Sequence, residues 1–350
     1  MSTSLQNDLF IRACLKQPVE RTPVWFMRQA GRYLPEYRAV RAKADFLTLC
    51  KTPELAAEVT IQPVDIVDVD AAIIFSDILV IPEAMGMELL VEENKGGPRF
   101  PTPLRTSTDI DNLIIPDPND KLKYVMDAIS LTRKLLNNRV PLIGFSGSPW
   151  TLASYMVEGK GSKNFRYIKE LIYNEPALAH KLLGKLATSV AAYLSAQIQA
   201  GAQTVQIFDT WGGILTQEAF EEFSLRYIKQ VIAETKTNGV PVIVFCKDCG
   251  HSIQKIAASG CNVVGLDWTI DIGDARKSIG EKVALQGNMD PTLLYANPER
   301  IKVEVKNILS KFGKGSGHVF NLGHGILPDI PVEHVKAFVK AVKEESGMYH

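Results

Sequence analysis

The chain has 350 residues and a formal net charge of zero, with 46% hydrophobic and 22% charged residues, as in an ordinary globular protein. Zero net charge argues against a general binder of nucleic acids or membrane surfaces, because such proteins usually carry a basic excess. No apolar run reaches the length of a membrane span, and the N-terminus lacks the pattern of a secretory signal. The five cysteines, an odd number, predict free thiols and a cytoplasmic location.

Apolar strand patterns alternate with helical patterns along the chain. Residues 5–16 predict a short helix that covers one end of the core. Thr52 and Pro53 predict the start of a helix, with Thr52 as its N-cap. Residues 87–100 predict a β-hairpin whose turn lies near Lys95-Gly96-Gly97. Eight strands are predicted, at 23–27, 70–77, 141–147, 204–210, 241–247, 263–268, 284–290 and 318–324. Helices are predicted at 122–136, 176–200, 217–238, 252–259, 272–279, 299–312 and 332–345.

This alternation requires a parallel α/β sheet. Eight repeats without a break in composition predict one domain over residues 1–350. We expect a closed (β/α)8 TIM barrel with extra N-terminal helices and the β-hairpin as an insertion, and a doubly wound open sheet is the alternative. The carboxyl ends of barrel strands converge on one face, where catalytic residues lie. The polar residues at the predicted strand ends would therefore surround one mouth: Arg28, Asp77, Ser146, Thr210, Lys247, Asp267, Asn288 and His324.

Basic charge is concentrated just after the first predicted strand. Residues 21–43 contain six basic residues and one acidic residue, a local balance of +5. Arg28 and Arg32 flank the small residues Ala30 and Gly31, which let the backbone approach a ligand closely. The local excess predicts an anion site in which two guanidinium groups bind carboxylates in forked geometry. An internal ion pair with Asp or Glu is the structural alternative.

Two other strand ends carry candidate functional groups. Asp77 follows an apolar run, where a carboxylate is poorly solvated and well placed to accept hydrogen bonds or to offset a positive charge. A helix N-cap is an equally compatible interpretation of Asp77. His324 lies between two glycines that free the backbone and expose the ring. The alternative for His324 is a structural histidine bonded to a backbone carbonyl.

Several further motifs are weak when each is taken alone. Tyr155 would then be a packing residue, and Thr210 a helix N-cap. The pair Cys246 and Cys249 resembles half of a zinc or redox site, but no second pair matches it. The glycine-rich segment 313–317 runs from a helix to a strand, the reverse of the order in a phosphate-binding loop. Neither motif therefore predicts a metal or nucleotide site.

Two long segments resemble the signatures of a known family. Residues 23–32, PVWFMRQAGR, and residues 144–153, GFSGSPWTLA, resemble those of uroporphyrinogen decarboxylases. The shorter motifs FSDIL, FDT and GHG, which begin at residues 75, 208 and 323, fit the same family in the same order. The resemblance covers essentially the whole chain. It implies a (β/α)8 barrel, usually a homodimer, that acts in haem and chlorophyll synthesis without a metal or an organic cofactor. The implied reaction removes the carboxyl groups of four acetate side chains from uroporphyrinogen III, giving coproporphyrinogen III and carbon dioxide.

The resemblance also implies roles for individual residues. Asp77 matches the aspartate that binds the pyrrole N–H groups at the centre of the macrocycle, and Tyr155 matches the active-site tyrosine near it; these two are the implied catalytic residues. Arg28, Arg32 and His324 match groups that meet substrate carboxylates. The implied substrate-binding set comprises Arg28, Gln29, Ala30, Gly31, Arg32, Arg41, Asp77, Tyr155, Thr210 and His324, with Phe46 lining the cleft.

The implied chemistry needs no cofactor, because the substrate can accept its own electrons. Protonating a pyrrole carbon creates a cationic ring that takes up the electron pair left by carbon dioxide, and a nearby carboxylate stabilises that cation. Asp77 is the hypothesised stabiliser, and an arginine, a tyrosine or ordered water could donate the proton.

Two other functions are compatible with parts of the sequence. One is a zinc-dependent methyltransferase that acts on corrinoids and thiols on a related barrel. Its metal site looks like a His-x-Cys pair with a later Cys, whereas here no His has Cys two places on and no Cys follows Cys261. The other is a tetrapyrrole carrier without catalysis, against which the polar strand ends argue.

Overall fold

The computed structural model describes residues 4–92 and 97–350. The predicted hairpin is present, since β2 (Leu90–Glu92) and β3 (Gly97–Arg99) pair antiparallel. Lys95 and Gly96 of its predicted turn lie outside the described residues. No helix in the described part of the chain is long and apolar enough to span a membrane.

Seven parallel strands form one curled sheet in which each strand pairs with the next along the chain. Every one of them lies inside a segment predicted to be a strand. Their near-continuous apolar sequences suit a sheet covered on both faces. The strands are β1 (Ala72–Ile73), β4 (Leu142–Gly147), β5 (Thr204–Asp209), β6 (Val242–Cys246), β7 (Val263–Gly265), β8 (Ala284–Gln286) and β9 (His318–Val319).

The first predicted strand, residues 23–27, closes this sheet into a barrel. On one side Val24 forms a parallel bridge to Phe320, whose backbone N–H donates to the Pro23 carbonyl at 2.8 Å. On the other side the backbone N–H of Asp70 donates to the Val24 carbonyl, also at 2.8 Å. The segment therefore lies between the two edges of the sheet as the eighth member. The closed barrel is confirmed, and the doubly wound open sheet is not observed.

The helices surround the barrel and connect its strands. Three of them have the predicted bounds: α10 (Pro176–Ala200), α14 (Ile272–Ile279) and α16 (Val332–Glu345). The other helices are α1 (Leu9–Cys14), α2 (Pro35–Arg41), α3 (Phe46–Lys51), α4 (Pro53–Val67), α5 (Val80–Ala84), α6 (Ser107–Asn112), α7 (Lys123–Leu136), α8 (Pro149–Glu158), α9 (Arg166–Asn174), α11 (Gln217–Phe220), α12 (Arg226–Glu234), α13 (Ile253–Ala257) and α15 (Pro298–Phe312).

Two helix predictions need correction. The helix predicted at 217–238 is interrupted by a π-helical turn at Glu221–Leu225, and it ends at Glu234 because Thr235 adopts extended backbone with ψ 125°. Thr52 occupies the N-cap position of α4, but its side chain makes no capping hydrogen bond. Pro53 favours this start instead, since its fixed φ suits the first turn of a helix and its missing N–H would have no helical partner.

The N-terminal helix α1 covers the amino end of the barrel, as predicted for residues 5–16. Its Phe10 is fully buried and meets the Trp25 ring edge-on at 6.4 Å between centroids. The Trp25 indole N–H donates to Gln286 Oε1 at 3.0 Å across the barrel interior. The amino end is therefore filled by side chains, and the carboxyl end remains for a site.

A buried ion pair fixes the first strand to the second. Asp70 is fully buried and accepts from both terminal nitrogens of Arg21, at 2.6 and 2.7 Å, and from the backbone N–H of Val24 at 2.9 Å. Arg21 was counted in the predicted anion-binding excess. That assignment is wrong, because the Arg21 charge offsets Asp70.

We expect Arg21→Ala to lower the free energy of unfolding by about 3 kcal/mol, because it leaves a buried carboxylate without its main partner. Urea unfolding at pH 7 measures this loss. The control is Arg300→Ala, which removes an exposed helical pair with Glu304 at 3.1 Å and should cost about 0.5 kcal/mol or less. Equal losses in the two variants would contradict the structural role of Arg21.

Candidate active site

A cavity of about 480 Å³ lies at the carboxyl ends of the strands. This volume falls within the usual range for small-molecule sites, roughly 300 to 1,000 Å³. Residues from the first, second, third, fourth and last strand segments meet in its wall. The predicted residues that line the cavity are Arg28, Gln29, Ala30, Gly31, Arg32, Phe46, Asp77, Tyr155, Thr210 and His324. The fold thus brings together residues separated by almost 300 positions.

The turn that follows the first strand is held from both sides. Arg28 has φ 64°, a left-handed conformation that costs a non-glycine residue roughly 1–2 kcal/mol. The Gln29 side chain is buried and donates to the Ala71 carbonyl at 3.0 Å, and the backbone N–H of Ile326 donates to the Met27 carbonyl at 3.0 Å. Gln29 therefore anchors the turn to the neighbouring strand, and the strained backbone directs the Arg28 side chain.

Two arginines of the basic cluster carry charges that no described residue of the protein pairs. Arg28 and Arg32 are exposed, and within residues 4–92 and 97–350 neither makes an ion pair or a side-chain hydrogen bond. Arg38, by contrast, donates to the carbonyls of Arg32 at 2.7 Å and Tyr33 at 3.3 Å. Among the described residues, the internal ion pair considered for Arg28 and Arg32 is therefore not formed. Guanidinium groups that are exposed and lack a partner in the described residues can bind carboxylates through two parallel hydrogen bonds.

Arg41 lies behind the wall of the cavity. Its guanidinium donates to the Ala44 carbonyl and stands 6.0 Å from the centroid of the Phe46 ring. Phe46 itself lines the cavity and packs edge-on against Phe75 at 5.9 Å. Direct substrate binding by Arg41 stays a prediction, and its observed contact is with a wall residue.

Asp77 is a carboxylate in a poorly solvated position. Its Oδ1 accepts from the backbone N–H of Leu79 at 2.7 Å, while Oδ2 has no hydrogen-bond partner in the described part of the chain. Burial raises the pKa of Asp77, and the Leu79 bond and the Arg28 charge oppose that rise. The N-cap interpretation of Asp77 is wrong, because the N-cap residue of α5 is Leu79 and no described side chain caps this helix. Asp77 Oδ2 remains to accept a hydrogen bond from a ligand.

His324 is a neutral imidazole at the opposite end of the chain from Arg28. Burial lowers its pKa to about 4, and the positive charges of Arg28 and Lys247 lower it further. Its ring lies 6.2 Å from that of Phe245, and it makes no hydrogen bond with any described residue. The structural alternative, a bond to a backbone carbonyl, is not observed. His324 can therefore donate one N–H to a ligand without carrying a charge.

We expect His324 to show no protonation between pH 6 and pH 8. An NMR titration measures this, with its signals assigned by comparison with the His324→Gln variant. In urea-unfolded protein the same ring should titrate near its ordinary pKa of about 6.5. Because the folded pKa is depressed, the stability due to the neutral ring is present above about pH 6.5 and is lost as pH falls toward 4. A folded midpoint above pH 6 would contradict the burial argument.

Tyr155 and Thr210 both line the cavity, Tyr155 from a helix and Thr210 from the end of a strand. Tyr155 lies on α8, 6.1 Å from the Trp211 ring between centroids, and burial raises its pKa so that the phenol keeps its proton. Thr210 directly follows β5. It does not cap the next helix, since Thr216 accepts from the backbone N–H of Ala219 at that position. Both side chains are thus available for ligand hydrogen bonds.

A fully buried carboxylate next to Thr210 organises this side of the site. Asp209 accepts from Ser148 Oγ at 2.7 Å, Thr151 Oγ1 at 2.8 Å and Ser224 Oγ at 2.6 Å. The first two bonds join β5 to the start of α8, which carries Tyr155, and the third joins it to the π-helical turn at Glu221–Leu225. Asp209 belongs to the FDT motif, but the sequence suggested no role for it because its three partners lie up to 61 residues away. The available signal was a carboxylate inside an apolar strand.

Two cavity-lining hydroxyls were also missed. Tyr33 Oη and Ser76 Oγ are buried and have no hydrogen-bond partner in the described residues. Buried polar groups are usually paired, so unpaired hydroxyls in a cavity wall are suited to contact with a ligand. In the sequence, their positions next to Arg32 and Asp77 could have indicated that they line the same site.

The other four strand-end residues do not line the cavity, and a ring of all eight around the mouth stays a prediction. Ser146 Oγ donates to the Gly147 carbonyl at 2.9 Å, and Asn288 Nδ2 donates to the Asp267 carbonyl at 2.8 Å. The Asp267 carboxylate accepts from the backbone N–H of Asp248 at 2.6 Å, and Lys247 forms an ion pair with Asp248. The bonds of Asn288 and Asp267 hold loops that follow the strands, and that of Ser146 stays within β4.

The cysteines in and after β6 are packed in the interior. Cys246, Cys249 and Cys261 are free and buried. In residues 4–92 and 97–350, no group of three or more His, Cys, Asp or Glu is arranged to hold a metal ion. The observed contacts of Cys249 and Cys261 are with backbone carbonyls, those of Lys247 and Ile256.

Known structures support the barrel. A methyltransferase from Methanosarcina mazei superimposes with a TM-score of 0.82 at 22% identity and covers 97% of this chain and 99% of its own. A B12-independent methionine synthase from Shewanella sp. W3-18-1 gives a TM-score of 0.54 at 12% identity and covers 84% of this chain and 88% of its own. Identities this low show a shared fold only.

Sequence comparison identifies the family as well as the fold. The family model for uroporphyrinogen decarboxylase matches residues 5–345. The uroporphyrinogen decarboxylase of Chloroherpeton thalassium is 60% identical over 351 residues, with 99% of each chain covered. That of Pseudomonas fluorescens is 60% identical over 354 residues, again with 99% of each covered. The chain therefore belongs to the uroporphyrinogen decarboxylase family.

Proposed function

We propose that this chain decarboxylates the four acetate side chains of uroporphyrinogen III, giving coproporphyrinogen III and carbon dioxide in tetrapyrrole biosynthesis. One observation carries the proposal for the site. The poorly solvated carboxylate of Asp77 shares a cavity with two arginines, Arg28 and Arg32, that have no partner in the described residues. The carboxylate of Asp77 suits a cationic intermediate, and the two arginines suit a substrate with many carboxylates.

Asp77 is proposed to stabilise the transition state. Protonation of a pyrrole carbon gives a cationic ring, which then accepts the electron pair left by the departing carbon dioxide. Burial raises the pKa of Asp77 and so disfavours its negative charge. A pyrrolic cation beside the carboxylate reverses that disadvantage, so the interaction strengthens as the transition state forms. Oδ2 would accept the pyrrole N–H groups.

The surrounding polar groups are proposed to hold the substrate. Arg28 and Arg32 would bind its carboxylates in forked geometry, and the neutral imidazole of His324 would donate a further hydrogen bond. Tyr155 and Thr210 add hydroxyl donors on the opposite wall. Since burial keeps the His324 imidazole neutral near pH 7, the proton for the pyrrole carbon would come from an arginine, Tyr155 or ordered water.

We further propose that the protein is a cytoplasmic homodimer of single-domain subunits. The free state of all five cysteines supports a reducing compartment. Sedimentation equilibrium at micromolar concentration tests the assembly. A monomer under those conditions would contradict it.

Anaerobic incubation of the purified protein with uroporphyrinogen III tests the reaction directly. After oxidation of the products, chromatography should show coproporphyrin, with intermediates that have lost one to three carboxyl groups at early times. Tight binding without product would favour the carrier instead. Metal analysis of the same sample addresses the methyltransferase alternative, which stoichiometric zinc would revive.

A further inference from the structure

The glycine that follows His324 lies directly against the Arg28 side chain. A β-carbon added at Gly325 would stand 2.5 Å from Arg28 Cδ and 2.9 Å from Arg28 Cγ and Nε. Non-bonded carbons approach to about 3.5–4.0 Å at their optimal separation. Gly325 is not among the glycines with positive φ. Its lack of a side chain is therefore required for space, and its backbone conformation is open to other residues.

The backbone of Arg28 has little freedom to retreat from such a contact. The next residue, Gln29, is tied to the Ala71 carbonyl at 3.0 Å. The loop after β9 that carries Gly325 is tied to the same turn, since the Ile326 N–H donates to the Met27 carbonyl at 3.0 Å. With both backbones fixed, a new methyl group at position 325 would be accommodated by moving the arginine side chain.

We infer that Gly325 is a positioning residue for substrate binding. Its bare backbone forms the surface on which the aliphatic stem of Arg28 lies, and this surface sets the place of the guanidinium in the cavity. Forked binding of a carboxylate is directional, so a displaced guanidinium binds it poorly. The inference rests on the proposed function of Arg28 as a carboxylate-binding group.

The first test is the Gly325→Ala variant. A displacement of about 1 Å at a binding group lowers performance by up to roughly a hundredfold, so we expect KM to rise by roughly ten- to hundredfold and kcat to change much less. The matched control is Gly184→Ala in α10, where an added β-carbon would meet no atom within 4 Å. That variant should keep the KM of the wild type. An unchanged KM in Gly325→Ala would overturn the inference.

A double-mutant cycle separates positioning from a general packing defect. If Gly325 acts through the Arg28 stem, then Gly325→Ala should change KM by less than about twofold once Arg28→Ala has removed that stem. If the KM increase in the double variant equals the product of the increases in the two single variants, the inference is overturned. If Gly325→Ala alone does not fold, Arg28→Ala should restore folding by removing the contact, and a double variant that stays unfolded would contradict it.

The cycle also distinguishes this inference from the proposed function. If Arg28→Ala alone leaves KM unchanged, the carboxylate-binding role of Arg28 is wrong. If Arg28→Ala raises KM and Gly325→Ala does not, that role stands and only the positioning role of Gly325 fails.

Discussion

Asp77→Asn is expected to lower kcat by roughly two to three orders of magnitude, the usual effect of removing one preorganised electrostatic group from an active site. The asparagine carbonyl can still accept the Leu79 N–H that Asp77 Oδ1 accepts at 2.7 Å, so the turn should persist. What is lost is the negative charge that is proposed to stabilise the pyrrolic cation. Anaerobic single-turnover measurements on uroporphyrinogen III give the rate, and turnover near that of the wild type would sink the proposed role.

The same substitution should raise stability at alkaline pH. The pKa of Asp77 is raised by burial, so the folded state binds this proton more tightly than the unfolded state does. The resulting stability is fully present below the unfolded pKa of about 3.9 and is lost as pH rises through the folded value. Asp77→Asn should therefore be more stable than the wild type at pH 8, and the difference should shrink as pH falls.

Asp271 supplies a control of opposite sign. The pKa of Asp271 is lowered by its hydrogen bond to Lys311 and by backbone N–H groups at the start of α14. Asp271→Asn should therefore reduce stability at pH 8, with the difference disappearing as pH falls below the unfolded pKa. Urea unfolding at several pH values measures both variants. The same pH trend in both would refute the assignment of a raised pKa to Asp77.

Arg28→Ala is expected to raise KM by roughly ten- to hundredfold, because a hydrogen bond to a charged group contributes about 1.5–3 kcal/mol. Arg28 has no partner among the described residues to be left unpaired by its removal, so the fold should persist. Arg28→Lys keeps the charge but not the fork, and its KM should lie between those of the alanine variant and the wild type.

Steady-state kinetics at saturating and limiting substrate separate the two kinetic constants. The control is Arg300→Ala, whose guanidinium is exposed and pairs with Glu304 on α15, outside the cavity wall. A loss in kcat with unchanged KM would be inconsistent with simple carboxylate binding by Arg28, and would point to participation in the chemical step.

In the proposed function, substrate binding and charge stabilisation are assigned to separate structural elements. The arginines come from a turn after the first strand, and the carboxylate comes from the end of the second, so each group is fixed by its own backbone contacts. Gln29 anchors the first element and the Leu79 N–H the second. Preorganised groups of this kind need little rearrangement when charge develops in the substrate.

The sequence by itself determined the order of the elements and the family. Buried parallel strands are nearly continuous apolar runs, and helices such as α10 end at glycine, so both can be recognised from local patterns. Strand lengths were overestimated, as at β7, which ends at Gly265 rather than at residue 268. Apolar residues continue beyond the last ladder bond because burial extends further than strand pairing.

Only the tertiary structure decided which polar groups are free to act. Six basic residues look alike in the sequence, but Arg21 is bound to Asp70 across 49 positions and Arg38 to nearby carbonyls. The contact of Gly325 with Arg28 spans almost the whole chain. Local patterns report the conformation and burial of a segment. The partner of a charge depends on which distant segments the closed barrel brings together, and so it emerges only in the folded chain.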